Sequence, residues 1–511
     1  MLSESPAIAA AAANDSRAPS PPSYRTLLVL FACESAAINL ARLPESMRFD
    51  RFAFCDQGSN LSLQYLVEHG LRPTIDFGYP YGLLPVLFGR IWFAMFGATP
   101  WAYQAAMLVS GLLCAWAIAR TLSRLKIGAI GIALAFIAFG YAYQASFVNF
   151  AHAIEAILLS FAICAHASGA RSRALAFAAA AVYAKPSMGY VYGLVLVILI
   201  ARDSGLSDLS DLRRFFKALA PAAIVFVALA ITMWLTYGAH TLARTIVPLL
   251  GTSNYRAMNY GLMGVGRRLW DPTLRPWIFY VIDVAGFWIL SGIFLFAVAL
   301  LRMTYADAGT PPARRYELIV TCAILHLAFL VLFFGNQWSW VYYSYILIIG
   351  TAIAVDLGPN QRRIGVALSL IAAISYTDLV YGTYRSWSTT TRDAATAGLW
   401  APEDERNEWR QVLALAHEHK VVMLDTMGAA ELLFPGFDDP TNFFVLPGMM
   451  QPGDVRRKLA QLSNAQVAVV PVSIVSCGGV PEAPEFKEAL KSFDLAWTGK
   501  HMQVFRRRTT P

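Results

Sequence analysis

Charge is what this chain has least of. Of its 511 residues only 14% are Asp, Glu, Lys or Arg, where a soluble chain carries about a quarter. Apolar residues make up 57% and the mean hydropathy is +0.49, which excludes a water-soluble globular enzyme and implies an integral membrane protein. Cysteine is scarce too, at six residues. Cys33, Cys114, Cys164 and Cys322 fall in apolar stretches, where a thiol behaves as a small hydrophobe. Cys55 and Cys477 lie outside them and are the one pair open to a disulfide. The chain has no zinc or iron ligand spacing, no readable Ser–His–Asp order and no Walker-type glycine loop. A net charge of +8 could suggest nucleic acid, but the basic residues are scattered at the ends of apolar stretches, which is their topological use. No nucleic-acid partner is read from them.

What is present is a series of apolar segments, at roughly 25–41, 101–119, 127–145, 147–168, 173–185, 188–201, 218–237, 276–301, 316–335, 340–358 and 364–382. They predict a polytopic α-helical membrane protein of about eleven spans, most near the ~20 residues a bilayer needs. Alternate connections are basic: Arg120, Arg124 and Lys126; Arg171 and Arg173; Arg202, Arg213, Arg214 and Lys217; Arg302, Arg314 and Arg315; Arg362 and Arg363. The positive-inside rule then puts these loops and the N-terminus in the cytoplasm. Residues 1–23, rich in Ala, Ser and Pro, read as a disordered tail. The domains expected are this tail, a membrane domain over 24–382 with outer loops 42–100 and 238–275, and an extracytoplasmic domain over 383–511. In that last region β-branched runs at Val421–Leu424, Phe443–Leu446 and Val467–Val470 alternate with helical stretches near 453–463 and 484–493. Gln503-Val504-Phe505 closes it as a last strand, so a small α/β domain is expected. Asp425-Thr426-Met427-Gly428 reads as a turn.

Chemistry concentrates in the first outer loop. Asp56 follows the first span, in Phe54-Cys55-Asp56-Gln57-Gly58-Ser59-Asn60, and Asp76 and Tyr79 lie in Pro73-Thr74-Ile75-Asp76-Phe77-Gly78-Tyr79-Pro80-Tyr81-Gly82. Gln57 stands beside Asp56 where a second acid would make a metal pair, so no divalent cation is implied. The stretch from Tyr81 to Phe96, broken by glycine and proline, predicts a helix along the interface. Ionisable residues within spans are costly and mark cavities. Asn149, His152 and Glu155 share one helical face near the outer surface, which makes a site of two acids with Asp56 reasonable. Mutual satisfaction of His152 and Glu155 in a buried bundle is the alternative. Lys185 sits in Ala184-Lys185-Pro186-Ser187-Met188-Gly189 between two short spans. A turn there must lie in a cavity, where a lysine beside free helix N–H groups suits a phosphate; a lysine reaching to the interface is the other reading. The second outer loop supplies Arg256, Arg267 and Arg268, either for an anionic substrate or for lipid headgroups. Trp338, Trp340, Tyr342 and Tyr343 fit an interfacial aromatic belt. Glu34, in the first span, has no partner in the sequence and suits a structural role.

The run from Asp56 through Val67-Glu68-His69-Gly70, Pro73, Asp76-Phe77 and Tyr81-Gly82 to Phe96-Gly97 resembles the first outer loop of the GT-C superfamily of polytopic glycosyltransferases. The likeness is to bacterial members related to protein mannosyltransferases and aminoarabinose transferases. Ala181-Val182-Tyr183-Ala184-Lys185-Pro186-Ser187-Met188-Gly189 is similar to a second motif of that family. The likeness covers about 40–200 in motif and the remainder in layout. Gln57 and the displaced proline at Pro85 depart from the family pattern. The resemblance implies an inverting transferase of envelope glycan or lipopolysaccharide biosynthesis in the bacterial inner membrane. It would take a hexose or pentose from a polyprenyl-phosphate donor to a lipid or glycan acceptor. Asp56 would be the general base and Glu155 would join it. Asp76, Tyr79, His152, Lys185, Arg256, Arg267 and Arg268 would bind substrate. A polymerase or ligase of undecaprenyl-linked polysaccharide, and a flippase for a lipid-linked sugar, are the competing expectations.

Overall fold

The structure, a computed structural model, describes residues 22–146, 149–247, 290–301, 313–333, 344–424, 428–440, 452–472 and 484–508. Ser23 caps the first helix, α1 (Tyr24–Ala41), by accepting the Thr26 N–H. Four short helices follow: α2 (Leu43–Ser46), α3 (Phe49–Phe54), α4 (Asp56–Glu68) and α5 (Leu84–Phe96). The chain continues with α6 (Pro100–Arg124), α7 (Ala129–Ser146), α8 (Phe150–Ala167), α9 (Arg171–Val182), α10 (Met188–Ser204), α11 (Leu209–Tyr237) and α12 (Ala239–Ile246). Then come α13 (Leu290–Leu301), α14 (Ala313–Phe333), α15 (Ser344–Val355) and α16 (Pro359–Thr389).

Five of these, α1, α6, α8, α11 and α16, are long and apolar enough to cross a bilayer unaided; α5, α7, α13 and α15 are shorter apolar helices. The chain is a multi-pass membrane protein. Each apolar segment read from the sequence coincides over most of its length with a helix wherever it falls on described residues, and the span expected from 276 lies outside them up to 289. Helix α16, at the eleventh expected span, runs past its apolar part, to Thr389.

Packing follows the small residues. Helix α9 is nearly all alanine on one face (Ala174, Ala178 and Ala181, all buried) and lies between α8, α10 and α11, as close approach of backbones in a membrane requires. Helix α6 joins α1 to α8, and α7 joins α15 to α16. One end of this bundle is tied by carboxylates. Glu317 of α14 accepts from Arg171 at 2.5 Å, Arg202 at 2.9 Å and His166 at 2.6 Å. Asp356, after α15, takes the Gly128 N–H and Arg315, both at 3.0 Å. This is the end where the basic loops gather. Glu34 is buried in α1, and neither of its oxygens has a hydrogen-bond partner among the described residues.

Beyond α16 the chain changes character. A hairpin of β1 (Thr390–Arg392) and β2 (Trp400–Pro402) leads into α17 (Glu403–Glu418) and β3 (Val421–Met423). After them come α18 (Ala430–Leu433), α19 (Pro452–Asn464), β4 (Val467–Pro471), α20 (Pro484–Leu490), β5 (Phe493–Thr498) and β6 (Met502–Arg507). The sheet order is β3-β4-β6-β5, with β3 and β4 parallel and the others antiparallel. The small α/β region is therefore present. The strand expected at Phe443–Leu446 lies outside the described residues, as does Cys477. Two features depart from the sequence reading. The helix near 484–493 stops at Leu490, because Phe493 begins a strand alternating along Phe-Asp-Leu-Ala-Trp-Thr. The hairpin of β1 and β2 is an addition the sequence reading did not include.

Candidate active site

Helix α4 begins at Asp56 itself, so the acid occupies the first helical position, where the free N–H groups favour a carboxylate. It ends in a Schellman turn: Gly70, at φ +80°, donates to Val67, and Leu71 donates to Leu66 at 3.0 Å. Its buried face is polar, with Gln57, Ser59, Asn60, Ser62 and Gln64 all enclosed. Four of these side chains, those of Ser59, Asn60, Ser62 and Gln64, bind backbone. Ser59 and Asn60 donate to the Asp56 carbonyl at 2.7 and 2.8 Å, and Gln64 donates to the Val86 carbonyl at 3.3 Å. The Asn60 oxygen accepts the Phe150 N–H at 3.1 Å, which fastens the Asp56 helix to the start of α8. Tyr103 of α6 lies with its ring 5.5 Å from both Phe52 and Phe150 and feels the Asp56 charge. The Asp56 side chain retains some exposure, yet burial pushes its pKa up to about 6.

Asn149 caps α8, accepting the His152 N–H at 3.0 Å while its amide reaches the Tyr81 hydroxyl at 3.4 Å. His152 meets the Tyr81 ring edge-on at 5.7 Å. One turn on, Glu155 is 1% exposed, and Ser187 donates to its Oε1 at 3.4 Å. Ser187 belongs to the same turn as Lys185, which is also buried. The Glu155 charge acts on Lys185, and the Lys185 charge acts on His152. Glu155 thus faces the turn that carries Lys185.

The loop before α5 is bound to this turn by main chain. Gly82 donates to the Ala184 carbonyl at 3.0 Å and Leu84 to the Tyr183 carbonyl at 2.8 Å, while Tyr79 donates its hydroxyl to Gly82 at 2.9 Å. A Cβ on Gly82 would overlap the Tyr183 carbonyl. We therefore expect Gly82→Ala to force the loop away from the Lys185 turn and to lower activity about 10²-fold, the cost of a misplacement near 1 Å. Circular dichroism should show the helices intact, and a variant with wild-type activity would mean that this seam plays no part in the site.

The C-terminal domain closes on the same loops. Gly428 accepts from the Ser62 hydroxyl, and Ala429 donates to Phe52 at 2.9 Å. Asp454 accepts the Gly78 N–H at 2.9 Å. Trp409 of α17 packs on Phe49 and Phe54, with ring centroids at 5.0 and 5.8 Å.

Of the residues singled out from sequence, Tyr79, His152, Glu155 and Lys185 come together around the Tyr81 loop, with Asp56 joined to them through Asn60 and Phe150. Asp76 is turned into its own loop, accepting from the backbone N–H and guanidinium of Arg72 at 2.8 and 3.0 Å. Burial works against its charge, but these bonds hold its pKa below the usual carboxylate range. Arg256, Arg267 and Arg268 lie outside the described residues, as do Trp338, Trp340, Tyr342, Tyr343 and Asp425 to Met427. Asn60, Tyr81, Tyr103 and Ser187 were not singled out. Their signal, polar groups at helix starts beside the marked acids, is present but carries no periodicity of its own. An apolar groove of about 290 Å³, lined by Ala230, Ile231, Trp234, Leu242, Ala243 and Ile246 among others, lies between α11 and α12. Tyr190 of α10 donates to the Ile246 carbonyl at its edge, at 2.7 Å.

No family model matches the chain, and no curated protein matches it in sequence. Among solved structures it is similar to ArnT from Cupriavidus metallidurans bound to undecaprenyl phosphate, at 15% identity and a TM-score of 0.49, over 94% of this chain and 98% of that one. The apo form of the same protein matches over the same shares at 14% identity and a TM-score of 0.40.

Proposed function

We propose that this protein is a membrane glycosyltransferase. It moves a sugar from a polyprenyl-phosphate donor to a hydroxyl acceptor, lipid or glycan, at the end of the bundle that carries Asp56. The observation that carries the reading is a half-buried carboxylate at the first position of its helix, its pKa pushed up to about 6 by burial, with that helix fastened through Asn60 to the start of the helix bearing His152 and Glu155. A base must be ionised at working pH yet still attract a proton, and burial without a neutralising partner tunes a carboxylate in that direction.

In the reaction, the Asp56 carboxylate takes the proton of the acceptor hydroxyl. The acceptor oxygen forms the new bond at the anomeric carbon as the bond from that carbon to the lipid phosphate oxygen breaks, with inversion. Lys185 faces the charge that gathers on the departing phosphate. Glu155 holds Lys185 in place, and His152 with Tyr81 shapes the wall beside it. The groove between α11 and α12, joined through Tyr190 to the hairpin of Lys185, offers apolar surface to a polyprenyl chain. Arg256, Arg267 and Arg268 would add to the phosphate site, and Asp76 and Tyr79 would shape the loop that meets the sugar. In this reading the basic loops are cytoplasmic, and the C-terminal domain is outside the inner membrane.

Purified protein in detergent, given radiolabelled polyprenyl-phosphate sugars and host lipid extract, should move label to one discrete product. A ladder of product sizes would point to a polymerase. Label left on every donor by folded protein would remove the transferase reading.

A further inference from the structure

Asp454 is fully buried, although it stands in the first turn of a polar helix of the C-terminal domain. Helix α19 turns Leu462 towards its own sheet, with Leu459 and Val455 packed beside it, while Asp454 turns towards the membrane domain. Its Oδ2 accepts the Gly78 N–H at 2.9 Å, and its Oδ1 pairs with Arg457 at 2.6 Å. A buried carboxylate given to a backbone N–H of another domain is costly to desolvate, and its hydrogen bond is of the strong, charge-assisted kind.

The bond belongs to a closed circuit. Lys458, one residue beyond Arg457, is 2% exposed and pairs at 2.5 Å with Glu431 of α18. Helix α18 follows Gly428 and Ala429, which take the Ser62 hydroxyl and reach Phe52. Gly428 has no room for a Cβ, which would strike the Ala53 carbonyl. The C-terminal domain thus holds the Asp56 segment from both sides, at Phe52–Ser62 through Gly428 and Ala429, and at Gly78 through Asp454. Beyond Gly78, only Tyr79, Pro80 and Tyr81 intervene before Gly82 binds the Ala184 carbonyl beside Lys185.

We propose that Asp454 is a positioning residue for the site, through which the C-terminal domain sets the seat of the 77–84 loop on the Lys185 turn. The soluble domain is then part of the active site rather than an appendage. This inference rests on the proposed transferase reading for its kinetic consequence, but not for its structural one.

The test uses the full-length protein in nanodiscs, with Asp454→Ala, Asp454→Asn and Arg457→Gln as variants and two measurements. Hydrogen exchange should rise at residues 78–84 and 183–187 in Asp454→Ala, while β3, β4 and β6 stay protected. Asp454→Asn, which keeps one acceptor, should fall between wild type and alanine. Arg457→Gln, which keeps the acceptor for Gly78 but removes its counter-ion, should raise exchange at 78–84 less than Asp454→Ala does. Sugar transfer by Asp454→Ala should fall about ten- to hundredfold, the worth of a charged hydrogen bond, in kcat more than in KM for the donor. Unchanged exchange at 78–84 overturns the proposal whatever the activity, and so does a loss of protection in the domain's own strands at the same rate as in the loop. If wild type transfers no sugar, the transferase reading falls, while the exchange pattern still decides the role of Asp454.

Discussion

Replacing Asp56 with asparagine is expected to stop sugar transfer while leaving the protein folded. A positioned general base contributes roughly 10²- to 10⁴-fold, and asparagine keeps the shape of the side chain without accepting the proton. The folded state also gains from the change. Burial raises the Asp56 pKa to about 6, so between its unfolded value and about 6 the folded protein binds more protons than the unfolded one. Stability therefore falls as pH rises through that window and is level above it. Asparagine has no charge to desolvate, so the variant should melt no lower than wild type at neutral pH. Loss of activity with unchanged or higher melting temperature is the pattern of a catalytic group that costs stability. In wild type, transfer at low donor concentration should rise with pH up to about 6 and then level, because the base works ionised. Full turnover by Asp56→Asn at normal expression would falsify the base assignment.

The second large effect is expected at Lys185. Its removal does two things that a single variant confounds. It takes away the cation proposed to face the departing phosphate, a loss of roughly 10²- to 10³-fold in rate for one preorganised donor. It also removes a positive charge that acts on Glu155, which is 1% exposed, and taking a cation from near a buried carboxylate lowers stability. Lys185→Met should therefore be both inactive and visibly less stable. Combining it with Glu155→Gln removes the acid on which that charge acts and should recover part of the melting temperature without restoring transfer. Binding of a polyprenyl phosphate, the leaving group in the proposed reaction, separates the roles. We expect Glu155→Gln to retain it, and both Lys185→Met and the double variant to lose it. If the double variant binds as tightly as wild type, Lys185 serves only to neutralise Glu155.

Much of this site was legible before any coordinates. The shared face of Asn149, His152 and Glu155 and the short hairpin carrying Lys185 are local features. They depend on residues three or four apart and on the length of an apolar run, and a sequence displays both directly. The same is true of the helices: in a bilayer every backbone group must be satisfied within its own segment, so hydropathy and length decide where helices stand. Charge at the loop ends gives the orientation we propose for them.

Tertiary structure decided how these pieces meet. Nothing near Glu155 in the chain announces Ser187 and Lys185 as its neighbours. Asp76 reads as a site acid, yet it binds Arg72 only four residues away, because the loop folds back on itself there. Residues 78 and 454 are 376 positions apart and residues 62 and 428 are 366 apart, and neither pair has any pattern to announce it. The buried polar face of α4, the glycine-sized gaps at Gly82 and Gly428, and the strand from Phe493 to Thr498 likewise have meaning only against the surfaces they meet. The sequence by itself determined a multi-helix membrane protein with an α/β tail and an acid at the head of its first loop. That follows because burial of apolar residues and satisfaction of backbone are local accounts. Which polar groups share one cavity was left to packing, since a hydrogen bond between distant segments depends on where both backbones are held.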